Sequence, residues 1–176
     1  MAQTTVDILS VASWANSDAF SGIDGDRVTQ VRHYETNGAD TAVMTLVRMI
    51  SKTFGTIAEQ IIVEIFNLGP RTSSQNDGTL NGKKIEIKCA RYWAGKDDCK
   101  WQHLEVDHDF DYALFVLLDF HGWKVWGIKK SLLMGELRDK KIVVRQGEEG
   151  YMTAKSKILP YLTEIKSIAD LTAFVQ

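Results

Sequence analysis

Cysteine and proline are scarce in this chain, its net charge is small, and it has no long apolar run. The two cysteines among 176 residues, Cys89 and Cys99, give no disulfide framework of the kind that staples small secreted domains. Together with His103 and His108 they read Cys-x9-Cys-x3-His-x4-His, which fits no compact zinc knuckle, where cysteines stand two to four residues apart. Cys89 is more simply read as a small core residue. Two prolines and the lack of any low-complexity tract leave no obvious linker, so one domain over residues 1–176 is expected. No stretch is apolar and long enough to span a bilayer. Met1-Ala2-Gln3-Thr4-Thr5 is not a basic region leading into an apolar core, so a cytoplasmic protein without a membrane partner is expected. With a formal charge of −2, any phosphate-rich partner has to be met by local basic patches.

The composition is that of an ordinary globular protein, 44% hydrophobic. Residues 4–16 are weakly helical, and Ser17 to Asp26, rich in Gly, Asp and Ser, reads as a loop. From Asp40 on, Val43, Met44, Leu46, Val47 and Ile50, then Ile57, Ile61, Ile62, Ile65 and Phe66, recur at helical spacing. Gly55 interrupts or joins two helices there, and Gly69-Pro70 ends the run. Strands are expected over 83–92, 111–120 and 123–128, the last two joined by a turn at His121-Gly122. A short helix over Ser131–Leu137, a strand over Lys141–Arg145 and a closing helix over Ser167–Val175 complete a mixed α/β sandwich. Its central strand, Ala113–Phe120, is apolar almost throughout, as expected of one covered on both faces.

The most informative residues are Glu86 and Lys88 in the run Lys84-Ile85-Glu86-Ile87-Lys88-Cys89, with Asp77 nine positions before Glu86. Strand alternation sends Ile85, Ile87 and Cys89 inward and sets Glu86 and Lys88 together on the other face. Asp77, in the turn-rich stretch Ser74-Gln75-Asn76-Asp77-Gly78, returns beside them across a short hairpin. Two hard carboxylates suit Mg2+, which keeps several waters and accepts phosphate oxygens as further ligands. Such an ion polarises a phosphodiester and lowers the pKa of a bound water, and a neighbouring lysine orients that water or neutralises the phosphorus centre.

Asn76-Asp77 followed by Glu86-Ile87-Lys88 resembles the signature of the PD-(D/E)XK nuclease superfamily, with Asn where Pro is usual. The likeness extends upstream to the helix Gly55–Glu64 and downstream to the strand Asp111–Leu118, covering about residues 55–120 in the same order. It implies an α/β fold with a restriction-endonuclease-like core, a central mixed β-sheet flanked by helices. The helical part would occupy about residues 1–68 and the catalytic core about 69–145. It also implies Asp77 and Glu86 as Mg2+ ligands, Lys88 as the aid to the attacking water, and a helical glutamate as an additional ligand. Glu59 lies between Ile57 and Ile61 and is preferred for this to Glu64, which falls on a different stripe.

Lys83, Lys84, Lys88, Arg91, Lys96 and Lys100 crowd the same region, and Lys129, Lys130, Arg138, Lys140, Lys141 and Arg145 form a second basic group. The segment Arg91–His108 leaves the catalytic strand directly, and Arg91, Lys96, Lys100, Gln102 and His103 offer donors and acceptors to phosphates and base edges. Trp101 is read as core packing. In the small dimeric restriction enzymes that the chain resembles, a histidine about fifteen positions after the catalytic lysine contacts bases, and His103 falls there. The expectation is a Mg2+-dependent type II restriction endonuclease cutting double-stranded DNA at a short specific sequence as a homodimer. The alternatives are a structure-specific nuclease, such as a junction resolvase or a phage repair nuclease, and a non-catalytic DNA-binding module on the same scaffold.

Overall fold

The computed structural model describes residues 28–148 and 150–176. The helix expected over 4–16 and the loop over 17–26 lie outside the described residues. Three helices open the described chain: α1 (Val28–Thr36), α2 (Thr41–Val47) and α3 (Ser51–Ile65). Phe54, Ile57, Ala58, Ile61 and Ile62 form one buried stripe on α3, at the spacing that turns a helix face to a core. Gly55 lies inside α3 without interrupting it, and the break between helices falls at residues 48–50. Asn67, at φ 49°, takes the left-handed conformation that ends α3, and the Leu68 amide turns back to the Val63 carbonyl at 3.0 Å.

The main sheet runs β1 (Gly78–Leu80), β2 (Lys83–Arg91), β4 (Tyr112–Asp119), β5 (Gly122–Lys129) and β8 (Thr163–Glu164) in spatial order. Only the β2–β4 pair is parallel, so the sheet is mixed, and with its flanking helices the fold is α/β. Seven residues in succession, Tyr112 to Leu118, are buried on β4, which accounts for its unbroken apolar sequence. A second antiparallel sheet has the order β3 (Lys100–Leu104), β7 (Tyr151–Ala154), β6 (Val144–Arg145).

Residues paired in register share a face of the sheet, so Lys88, Phe115 and Trp126 stand on one face and Arg91, Leu118 and Trp123 on the other. Trp101 of β3 stacks on Phe115 at 4.7 Å and donates its indole N–H to the Val116 carbonyl at 2.9 Å, so the small sheet covers the first face. Phe54 stacks against Trp123 at 6.2 Å, placing α3 on the second.

The sheets reach past Arg145, the expected end of the core, because β7 holds β3 and β8 closes the edge of β5. The expected helix over 131–137 is present within a helical stretch over 130–139, with a π-helical turn at Leu132–Glu136 followed by α4 (Leu137–Asp139), and α5 (Lys155–Ile158) follows β7. Closing the chain is α6 (Ile168–Phe174), capped by the Ser167 hydroxyl accepting from the Asp170 amide at 3.0 Å. Phe174 of α6 lies where a Cβ on Gly127 would come within 2.5 Å of its ring, so β5 carries glycine at the point of closest approach. Among the described residues no helix is long and apolar enough to cross a membrane.

Candidate active site

Pairing between β1 and β2 stops at Gly78 opposite Ile85, which leaves the β2 edge open from Ile87 onward. Asp77 sits at that stop. Its amide donates to the Ile85 carbonyl at 2.8 Å, and its Oδ2 accepts the Ile87 amide at 2.6 Å, where a continuing β1 would have put a carbonyl. A carboxylate is thus fixed by the backbone of the strand that carries Glu86 and Lys88.

Asn76 anchors the approach. It is 1% exposed; its Oδ1 accepts the Thr72 amide at 3.0 Å, and its Nδ2 donates to the Thr72 hydroxyl at 2.8 Å and the Asp109 carbonyl at 3.2 Å. Proline at this position would stiffen the loop by its ring, whereas Asn76 does so with hydrogen bonds.

Lys88 Nζ lies 2.8 Å from Glu86 Oε1, as neighbours on one strand face allow. Glu86 is only 6% exposed rather than on a solvated face. Its pKa is raised, first by burial and then by the Asp77 charge, against the opposing pull of Lys88 and His108. Glu59, on the helical side, meets the same edge: its carboxyl hydrogen-bonds Asp77 and feels Glu86, and burial together with those charges lifts its pKa to about 7. Glu64 is exposed. Asp77, Glu86, Lys88 and Glu59 are therefore brought together at one stretch of strand edge.

Among the described residues no three His, Cys, Asp or Glu side chains converge as a metal cage. Mg2+ asks for less, one or two carboxylates with waters and phosphate oxygens completing an octahedron. Asp77 and Glu86 meet that smaller demand, and Glu59 beside them has its pKa lifted to about 7 by burial first and then by the Asp77 and Glu86 charges.

A cleft of about 530 Å³ runs from Glu59 and Lys88 along the open edge of β2, with Lys52, Phe54, Trp93, Lys100, Gln102 and His103 on its walls. Lys100 stands 4.9 Å and Lys96 5.9 Å over the Trp93 ring, Lys96 being exposed outside the cleft wall. Arg91 lines the cleft too, yet it is 8% exposed, and its Nη1 donates to the carbonyls of Leu46, Val47 and Met49 at 3.2, 3.1 and 2.7 Å. Its guanidinium also covers Phe54 at 4.2 Å. Through Nη1, Arg91 closes the C-terminal end of α2 against the sheet.

Cys89, expected inward, is half-buried on the cleft wall, where burial and the charges of Glu59 and Asp77 push its thiol pKa well up and keep it protonated. Trp101, fully buried, packs as its sequence context implied. The second basic group divides: Arg138 and Arg145 flank the Tyr151 ring at 4.9 and 5.2 Å, while Lys129 and Lys130 line a separate pocket at the start of β4.

Three contributors were not legible in the sequence. Gln30 of α1 and Lys52 of α3 reach the cleft from helices with no motif of their own, and Gln146 bonds the His103 backbone from a distant hairpin. No protein-family model matches the chain, and no curated protein matches it either.

Proposed function

We propose that the protein is a Mg2+-dependent endonuclease acting on double-stranded DNA, of the type II restriction class. The observation that carries this reading is the convergence of Asp77, Glu86, Lys88 and Glu59 on the open edge of β2, at the head of a cleft walled by lysines and hydrogen-bonding side chains. Bound Mg2+ would supply Lewis-acid activation of the phosphodiester and of a water. Asp77 and Glu86 would hold it, with Glu59 adding a carboxylate once its proton is displaced. Lys88, pinned by Glu86, presents its remaining N–H donors toward the cleft and would orient the attacking water and offset charge building on the phosphate. Lys52 and Lys100 would take flanking phosphates, and Gln102 and His103 base edges. Cutting both strands of a palindrome calls for two such sites related by a two-fold, hence a homodimer, and a cytoplasmic location follows from that role.

Incubation with plasmid DNA and Mg2+, followed by mapping of fragment ends, tests the reading. Discrete fragments that vanish with EDTA support it. Cleavage confined to four-way junctions would move the protein to the structure-specific class, and tight binding without cleavage, unaffected by Glu86→Ala, would make it a binding module. Lys88→Ala should lower the cleavage rate by about 10²–10⁴-fold and leave the DNA dissociation constant within a few-fold. Sedimentation should give twice the 19.8 kDa chain mass.

A further inference from the structure

Regular alternation along β3 would turn Gln102 outward and His103 back toward the core. The chain does otherwise: Trp101 and Leu104 are buried, and Gln102 and His103 are both exposed. Pairing with β7 shows how, since Trp101 faces Thr153 while Leu104 faces Tyr151, one residue more on β3 than on its partner. His103 absorbs the extra residue at φ 56°, a left-handed conformation costly for a side chain with a Cβ. The bulge therefore delivers two neighbouring polar side chains to the same cleft wall.

A bulge breaks the ladder, and the freed His103 amide needs an acceptor. It donates to Gln146 Oε1 at 3.0 Å. Gln146 follows β6, and its own amide closes the β6–β7 hairpin on the Gly150 carbonyl at 2.8 Å. Gly150, at φ 83°, lies so close to β3 that a Cβ there would come within 2.7 Å of the Leu104 carbonyl. Tyr151 beside it is gripped by Arg138 and Arg145. The side chain that satisfies the bulge thus hangs from a hairpin fixed at both ends.

We infer that Gln146 is a positioning residue for sequence discrimination: through the His103 amide it holds the strained bulge that presents Gln102 and His103 as one reading unit to the base edges of duplex DNA. This rests on the endonuclease reading above. A displacement of the pair by an ångström would disturb hydrogen bonds to bases without touching the carboxylates that serve hydrolysis.

The test compares cleavage of the mapped site with cleavage of its single-base variants, in competition on one duplex pool, for the wild type, Gln146→Ala, Gln146→Glu, the double variant Gln102→Ala/His103→Ala and the triple variant that adds Gln146→Ala to it. Gln146→Ala should reduce discrimination about tenfold. Gln146→Glu, which keeps an acceptor oxygen, should restore most of it. In the Gln102→Ala/His103→Ala background the Gln146→Ala change should add little, because both side chains that Gln146 positions are then gone. Unaltered discrimination in Gln146→Ala, or an undiminished further loss in the triple variant, overturns the inference. A wild type that cuts no duplex DNA overturns the endonuclease reading itself.

Discussion

At the scale of single residues, the same burial that makes a site reactive makes it costly. Glu59 has an ordinary carboxyl pKa of 4.5 when the chain is unfolded and about 7 when folded. Burial, and after it the neighbouring Asp77, disfavour the charged form, so the protonated Glu59 contributes its stability fully below the unfolded value and that contribution is lost as pH rises through 7. Glu59→Gln keeps a neutral donor to Asp77 at every pH. Without metal it should match the wild type near pH 4 and exceed it at pH 8 by on the order of 1 kcal/mol, since partial exposure screens the shift. Thermal melts across that range check it, and a wild type as stable as the variant at pH 8 refutes the raised pKa of Glu59. Arg91 gives a different case, a buried cation whose Nη1 ties three carbonyls at the end of α2 to the sheet. Arg91→Ala leaves three carbonyls without their shared donor and should cost about 2–4 kcal/mol, visible as a fall of roughly 5–10 °C in Tm.

Elements show where sequence legibility ends. The bulge in β3 stores strain at His103, so His103→Gly should raise Tm by about 2–4 °C, roughly 1 kcal/mol, while removing one of the cleft's reading side chains. Melting and site-discrimination assays on one preparation would separate the two effects, and a lowered Tm would mean that the His103 ring contributes more than its backbone costs. β2, β4 and β5 were legible because β4 is buried on both faces and β5 follows it through a tight turn. By contrast β3, with Gln102 and His103 adjacent and exposed, presents no alternation to read, and β8 is two residues long, paired with Trp126 and Gly127 at the sheet edge. α1 pairs a polar sequence with one fully buried tyrosine, whose hydroxyl donates to the Leu118 carbonyl at 2.5 Å, a contact that periodicity does not reveal. Spacing exposed Asp77, Glu86 and Lys88 because they lie on one hairpin. Nothing local marks Gln146, whose partner stands 43 residues away.

For the molecule as a whole, charge links the site to stability. A chain of net charge −2 places three carboxylates and one lysine at a single strand edge, and their mutual repulsion is carried by the fold when no cation is present. A divalent ion that binds the folded state alone stabilises it by RT ln(1 + [L]/Kd), about 2.7 kcal/mol at a hundredfold excess over Kd. Millimolar Mg2+ should therefore raise Tm at pH 8 beyond what sodium does at equal ionic strength. The increment should shrink near pH 5.5, where protons on Glu59 compete with the ion. Glu86→Gln, which removes one charge from the buried cluster, should abolish most of the Mg2+ increment and raise the metal-free Tm. Because this readout is thermal, it separates ion binding from catalysis: a Tm indifferent to Mg2+ in the wild type would leave the four side chains as a structural cluster, whatever DNA the cleft accepts.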